Sequence, residues 1–135
     1  MFRNFVCVDT SAWYALFDKD DSEHDEAKHF QRINQSPLLT TDYIVDETLT
    51  LVRIRLGHRR AVEIGKHFWG QDLTQLIAVT SEDRAAAWKI FQRYDDKIFS
   101  FTDCTTFAVM ERLGVTTAFT FDGHSRQYGK IKCSP

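Results

Sequence analysis

Short apolar runs alternate with amphipathic stretches along this chain, and this alternation predicts the fold class. Residues that favour strands concentrate in five segments: "FVCV" (Phe5–Val8), "PLLTT", "LTQLIAVT" (Leu73–Thr80), "VTTAFTF" (Val115–Phe121) and, as a last edge strand, "IKC". Strands that alternate with helices are typical of βαβ units. We therefore predict an α/β protein with a central, mostly parallel sheet.

The segments between these strands have helical spacing. The helix that begins at Asp42 places apolar residues on one face and stops at Gly57, and "HRRAVEIGKHFW" continues as another helix. "SFTDCTTFAVMERLG" predicts an apolar helix whose start a polar side chain such as Ser100 can cap, and which runs to about Leu113 and stops at Gly114. The predicted N-caps are Thr10 or Ser11, then Ser22 and Ser81. "DGHSRQYGK" is predicted to form a loop or short turn.

Composition narrows the class of protein without naming a function. The 135 residues fit one domain, residues 1–135, with 43% hydrophobic and 27% charged residues. The net charge of -2 neither favours nor excludes a nucleic-acid partner. Three cysteines without a CxxC pair argue against a disulfide framework or structural zinc and favour a reducing cytoplasm. We expect no signal peptide and no membrane span, since no apolar run approaches roughly 20 residues.

Four acidic residues from distant segments are predicted to converge. Asp9 follows the first strand and Asp122 follows the last clear strand, so both belong at the carboxyl edge of the sheet, where α/β proteins bind ligands. Asp103 opens the helix before that last strand. Glu47 lies about one and a half turns into the helix that follows "PLLTT", and its long side chain can lean toward the same edge.

Each acid taken alone also has an ordinary structural interpretation. Asp9 and Asp122 are in positions where aspartate often caps a helix, Asp103 fits an ordinary acid in a first helical turn, and Glu47 fits a solvated helix face equally well. Asp46 points roughly 100° away from Glu47 and is predicted to be solvated. If the four do converge, two carboxylates 4 Å apart repel by about 4 kcal/mol at an effective dielectric of 20. Either one of them stays protonated or a hard divalent cation such as Mg²⁺ or Mn²⁺ lies between them.

Four motifs carry a resemblance to a known family. They are "VDTSAWYALFDKDDSEH", "TTDYIVDETLTLVR", "SFTDCTTFAVMERLGV" and "AFTFDGHSRQYG", in this order and spanning nearly the whole chain. Together they resemble the PIN-domain family of metal-dependent ribonucleases and, within it, the VapC-type toxins. The resemblance implies a three-layer α/β/α sandwich.

The same resemblance implies a site and partners. It assigns metal binding and catalysis to Asp9, Glu47, Asp103 and Asp122, and hydroxyl support for these acids to Ser11 and Thr102. The implied reaction is hydrolysis of RNA phosphodiester bonds through a water activated by Mg²⁺ (or Mn²⁺), carried out in the cytoplasm by a toxin. The implied partners are an RNA substrate, a cognate antitoxin protein and a second copy of the chain, with the "WYALF" segment as a possible dimer face.

A basic segment offers phosphate contacts. "RIRLGHRRAVEIGKHFW" follows the Glu47 helix and could place a basic face beside the acids. A solvated helix surface explains any one of these arginines equally simply. The last loop adds Arg126 and His124 as weaker candidates for phosphate contact. The predicted substrate-binding residues are Arg53, Arg55, Arg59, Arg60 and Arg126.

Two other functions compete with a nuclease. A catalytically silent PIN-like module would bind RNA or protein without cutting. A site that no longer catalyses a reaction is expected to lose acidic residues that destabilise the fold, but all four acids are present here. Phosphatase and receiver domains also gather acids at strand ends. A phosphatase needs a paired DxD motif, whereas Thr10 and Ser11 follow Asp9.

Overall fold

Five strands and seven helices alternate in a computed structural model that describes residues 1–135. The strands are β1 (Val6–Val8), β2 (Leu38–Thr41), β3 (Gln75–Ile77), β4 (Thr117–Phe119) and β5 (Lys132–Ser134). The helices are α1 (Thr10–Phe17), α2 (His24–Ile33), α3 (Asp42–Leu56), α4 (His58–Gly70), α5 (Ser81–Arg93), α6 (Phe101–Leu113) and α7 (His124–Tyr128). None of these helices is both long enough and apolar enough to span a membrane.

The sheet is entirely parallel, with strand order β3-β2-β1-β4-β5. β1 is central: Val6 pairs with Leu38 of β2 on one side and with Thr117 of β4 on the other. The predicted fold class, a three-layer α/β/α sandwich with a parallel sheet, is confirmed. Because all strands run the same way, the residues that follow β1 and β4 emerge at one edge.

The core forms where α1 packs between the sheet and its neighbouring helices. Trp13 is only 2% exposed; its ring stacks on Phe17 at 5.9 Å and meets Phe68 edge to face at 5.1 Å. The Trp13 indole N–H donates to Thr40 Oγ1 at 3.1 Å, so its one polar atom is satisfied. Trp13, Tyr14 and Ala15 are all buried within this one chain. The first three residues of the "WYALF" segment are therefore core, while Leu16 and Phe17 are half-buried, and the dimer face stays a prediction.

Helix ends differ from the sequence prediction by a residue or two. Asp9 caps α1, in place of Thr10 or Ser11, and Thr80 caps α5, in place of Ser81. Ser22 caps nothing, because α2 begins at His24 after a turn that Asp21 closes by accepting from the Glu23 N–H. Adjacent polar residues compete for each cap, and the path of the incoming chain decides between them.

Other local predictions agree more closely with the structure. The stops at Gly57 and Gly114 are confirmed, with φ of 95° and 71°. Such positive φ values favour glycine, which has no Cβ to clash with the backbone. The strands predicted at Leu73–Thr80 and Val115–Phe121 are present but shorter, and "DGHSRQYGK" contains the short helix α7.

An ion pair fastens α5 to α6. The guanidinium of Arg112 donates from Nε and Nη2 to the two carboxylate oxygens of Asp83 at 2.8 and 2.9 Å. The Asp83 side chain is 3% exposed and also accepts from the Thr80 N–H, which closes a capping box. Burial alone would raise the pKa of Asp83, but the hydrogen bonds from Arg112 and Thr80 outweigh it and lower the pKa.

We expect Asp83→Asn to lower the free energy of unfolding by about 2 kcal/mol at pH 7, because the buried charge-assisted pair is lost while the cap can remain. Because the pKa of Asp83 is lower in the folded state than in the unfolded state, its ionised form stabilises the fold at pH values above the unfolded-state pKa. This stabilisation is lost as the pH falls through the folded-state pKa. The difference from wild type should therefore shrink below about pH 4. Thermal melts at pH 7 and pH 3 test this. The matched control Glu63→Gln breaks the exposed Arg60–Glu63 pair and should change little; equal losses from both variants would contradict the account.

Candidate metal and active site

Asp9 lies at the carboxyl end of the central strand, held by hydrogen bonds to both carboxylate oxygens. Oδ1 accepts from Ser11 Oγ at 2.7 Å and from the Ala12 N–H at 3.2 Å. Oδ2 accepts from the hydroxyl of Thr120, the residue just after β4. Ser11 Oγ also accepts from the Phe121 N–H at 2.9 Å. Ser11 and Thr120 thus tie the end of β1 to the end of β4, and the carboxylate of Asp9 is fixed between them.

Asp103 is positioned by the start of α6. Ser100 caps this helix by accepting from the Asp103 N–H at 2.9 Å, and Asp103 Oδ2 accepts from the Ser100 N–H at 2.9 Å. This reciprocal capping box satisfies two N–H groups that the helix leaves free. It also orients the carboxylate. The polar opening of an otherwise apolar helix therefore has a structural cause, and the same contacts hold Asp103 at the edge of the sheet.

Asp103, Asp122 and His124 form the tightest group of potential metal ligands. One donor atom from each of the three side chains lies within 4.8 Å of the other two. His124 Nδ1 is 2.7 Å from Asp103 Oδ2 and 4.0 Å from Asp122 Oδ1. The His124 N–H also donates to Asp122 Oδ1 at 3.0 Å. Two of the four predicted acids thus meet directly, and a histidine joins them.

The other two predicted acids lie beside this group. Neither Asp9 nor Glu47 brings a carboxylate oxygen within 4.8 Å of all three of these donor atoms. Glu47 is exposed on α3 and lines a cleft of about 580 Å³. Asp122 lines the same cleft, together with Thr10, Ser11, Asp46, Thr50, Leu51, Ile54 and Thr102. The cleft therefore joins Glu47 on α3 to Asp122 after β4.

The acids of the site influence one another's protonation. Burial, with a further contribution from the charge of Asp122, raises the pKa of Asp9 to about 7, although three hydrogen bonds oppose this. Burial also raises the pKa of Asp103, against the lowering effect of Ser100 and His124. Both shifts mean that burial, with the charge of Asp122 as a smaller contribution, disfavours the ionised forms of Asp9 and Asp103. A divalent cation would favour those ionised forms.

The donor set fits a hard divalent ion. Carboxylate oxygens are the ligands that Mg²⁺ and Mn²⁺ prefer, and the residues in reach supply several of them. Asp103 and Asp122 offer such oxygens close together, while Asp9 lies at the end of the neighbouring strand and Glu47 lines the same cleft as Asp122. The structure thus supports the coarse expectation of a divalent-cation site, and the role of each acid stays a prediction.

The predicted supporting hydroxyls behave differently from each other. Ser11 donates to Asp9, as described above. Thr102 lines the cleft, but its hydrogen bonds are made through its carbonyl, which accepts from Thr105 Oγ1 at 2.7 Å and Thr106 Oγ1 at 3.0 Å. Its hydroxyl makes no hydrogen bond to any of the four acids. Thr120, which sequence reasoning missed, makes the contact to Asp9 instead.

The predicted basic residues do not line the acidic cleft. Arg60 donates to Glu63 at 2.6 Å and to the Phe17 carbonyl at 3.2 Å, and Arg55 lies over the Tyr14 ring at 5.0 Å. Arg59 lines a separate depression of about 400 Å³ with His58, Val62, Glu63 and Lys66. Arg53 and Arg126 are exposed. A substrate that crosses the cleft would have to extend beyond it to reach these side chains.

We expect Ser11→Ala to weaken Mn²⁺ binding about tenfold, because groups that orient a metal-binding carboxylate typically contribute this much. The change removes the hydrogen bond to Asp9 and the acceptor of the Phe121 N–H. The measurement is the Mn²⁺ dependence of the melting temperature. Ser22→Ala, an exposed serine in the turn before α2, is the control and should match wild type. Equal Mn²⁺ affinity in all three proteins would show that Ser11 does not support the site.

The fold and this site define a class: a three-layer α/β/α protein with a cluster of acids at the carboxyl edge of a parallel sheet. The chain belongs to the PIN domain family, whose sequence profile matches residues 6–131. PIN nucleases generally depend on divalent metal ions, which agrees with the acidic cluster found here.

Named relatives cover nearly the whole chain. The 23S rRNA-specific endonuclease VapC20 of Mycobacterium tuberculosis is 33% identical over 130 residues, 96% of this chain and 98% of that protein. The crystal structure of VapC20, described as a Sarcin-Ricin loop cleaving toxin, matches with a TM-score of 0.90 at 32% identity, covering 96% of this chain and 99% of the other.

Two more distant structures share the fold. DNA-bound VapBC from Salmonella typhimurium matches with a TM-score of 0.69 at 11% identity, over 97% of this chain and 96% of the other. FitAcB from Neisseria gonorrhoeae matches with a TM-score of 0.70 at 14% identity, over 96% of each chain. At these identities the likeness concerns the fold.

Proposed function

We propose that residues 1–135 act as a single nuclease domain, a metal-dependent endoribonuclease of the VapC type. The observation that carries the proposal is the meeting of Asp103 and Asp122 beside Asp9, at the end of a cleft that Glu47 lines. A cluster of partly buried carboxylates at this place makes sense if a cation and a phosphate group complete the site.

The ion we propose is Mg²⁺ or Mn²⁺, held by Asp103 and Asp122 with Asp9 and Glu47 close by. When bound, such an ion activates water for attack and neutralises charge on the phosphate oxygens. The chain itself contributes position. The capping box fixes Asp103, the Ser11 and Thr120 hydroxyls fix Asp9, and a carboxylate held this way can orient or deprotonate the attacking water.

The substrate we propose is ribosomal RNA. VapC20 is named for its action on 23S rRNA, and this chain matches it over almost its full length. The open cleft of about 580 Å³ can admit a strand that is unpaired or looped out, which is how proteins usually reach RNA bases. Arg53, Arg59 and Arg126 are exposed and would contact phosphates on either side of the cut.

The partners follow from the same proposal. A toxin that cuts ribosomal RNA needs an antitoxin that blocks it, and it acts in the cytoplasm, where ribosomes are. A homodimer is also proposed, on family likeness alone. Trp88 and Phe91 are available for such a contact, because they are 53% and 42% exposed and stack on each other on α5.

The test is to incubate purified bacterial ribosomes with the protein and Mg²⁺ or Mn²⁺, and to map breaks in 23S rRNA by primer extension. We expect one dominant break, in the sarcin-ricin loop, that EDTA abolishes. Breaks scattered over the RNA would support nuclease activity but contradict the proposed ribosomal RNA target. Intact RNA at all protein and metal concentrations would reject the nuclease and favour a silent binding module.

A further inference from the structure

His124 lies inside the acidic site, at the first position of α7. Its Nδ1 is 2.7 Å from Asp103 Oδ2 and 4.0 Å from Asp122 Oδ1, and its side chain is 35% exposed. No other histidine belongs to a group of potential ligands. The His124 backbone N–H donates to Asp122 Oδ1, and the Phe99 ring contacts the imidazole edge to face with the ring centroids 6.1 Å apart.

The two distances from His124 Nδ1 to the aspartate oxygens fit ligands of a single ion. With metal–ligand bonds of about 2.1 Å, neighbouring ligands of an octahedral ion are about 3.0 Å apart and opposite ones about 4.2 Å. The His124–Asp103 distance of 2.7 Å is near the first value, and the His124–Asp122 distance of 4.0 Å is near the second. These distances are therefore compatible with coordination of one cation by the same side chains.

An imidazole changes which cation the site prefers. Mg²⁺ favours oxygen ligands and releases its waters reluctantly, whereas first-row transition metals accept nitrogen readily. Two aspartates and one histidine should therefore bind Mn²⁺ more tightly than a site of carboxylates alone would, with little gain for Mg²⁺.

We propose that His124 is a ligand of the divalent cation and gives this site a preference for Mn²⁺ over Mg²⁺. The proposal rests on the metal site of the proposed function and adds the ligand that selects the ion. A purely structural role for His124, in holding Asp103, would require neither nitrogen coordination nor any difference between the two metals.

The first experiment is pulsed electron paramagnetic resonance (electron spin echo envelope modulation) of Mn²⁺ bound to the wild-type protein. A coordinated imidazole produces modulation from ¹⁴N, and we expect that signal in wild type. It should disappear in His124→Ala and persist in His29→Ala, whose histidine is exposed on α2. Because the wild-type spectrum alone carries the result, the test does not depend on how well a variant folds.

The second experiment compares metal affinities from melting temperatures at a fixed pH. For His124→Ala we expect Mn²⁺ binding to weaken at least tenfold and Mg²⁺ binding to change less than threefold. The difference arises because the variant loses a nitrogen ligand that Mn²⁺ accepts readily and Mg²⁺ does not. His29→Ala should match wild type with both metals.

The outcomes separate the two proposals. Wild-type protein that binds Mn²⁺ without ¹⁴N modulation, or His124→Ala that binds Mn²⁺ as tightly as wild type, would overturn the role of His124 and leave the nuclease standing. Wild-type protein that binds neither metal would overturn both.

Discussion

Replacing Asp103 by asparagine is expected to reduce RNA cleavage by about 10³-fold, the usual scale for losing a positioned acid–base or metal-binding group. Asparagine has the same shape, and its carbonyl oxygen can still accept from the Ser100 N–H, so α6 should keep its cap. What is lost is the negative charge that faces His124 and would help to hold the metal ion. The fold should therefore survive while the chemistry fails.

The measurement is the initial rate of cleavage of a sarcin-ricin hairpin, with circular dichroism as a check on folding. The control is Asp20→Asn, which makes the same change of charge in an exposed turn distant in sequence from Asp103. This variant should cleave the hairpin at the wild-type rate. Cleavage by Asp103→Asn within a few-fold of wild type would remove Asp103 from the site.

Asp9→Asn is expected to stabilise the metal-free protein at pH 8 even though it removes a site residue. The pKa of Asp9 is raised from 3.8 to about 7, so the native state holds its proton more tightly than the unfolded state does. Stability therefore falls as the pH rises from about 4 through 7. The full cost of ionising Asp9 is on the order of 4 kcal/mol, since each pKa unit corresponds to about 1.4 kcal/mol.

Thermal melts in EDTA at pH 5 and pH 8 test this directly. Wild type should lose stability between the two pH values, and Asp9→Asn should lose less, so that at pH 8 the variant melts higher. With Mn²⁺ added the order should reverse, because the ion compensates the charge that only wild type carries. If Asp9→Asn melts lower than wild type in EDTA at pH 8, Asp9 acts as a structural helix cap, and its ionisation does not lower the free energy of unfolding.

The sheet and its acidic edge can be predicted from the sequence because both depend on local pattern. A β-rich run that ends in aspartate places that aspartate at the carboxyl edge of a parallel sheet, wherever the strand lies. The order of residues alone therefore assigns Asp9 and Asp122 to one edge. Ser100 and Gly114 likewise mark the ends of α6 through local backbone chemistry.

Contacts between distant segments are harder to predict. The Thr120 hydroxyl reaches Asp9 across 111 residues of sequence, and only the pairing of β1 with β4 brings them together. Arg55 and Arg60 are directed away from the cleft by the rotation of α3 and α4 about their axes, which tertiary packing sets. The sequence suggests His124 only as a phosphate contact, because its approach to Asp103 depends on how the last loop folds back.

The central claim is that these acids together hold a divalent cation. Its most direct test is uptake of Mn²⁺ by metal-free protein, measured by loss of the free-ion electron paramagnetic resonance signal. A triple variant, Asp9→Asn with Asp103→Asn and Asp122→Asn, serves as the comparison. The account predicts saturable uptake by wild type and none by the triple variant; equal uptake by both proteins, or none by wild type, would contradict it.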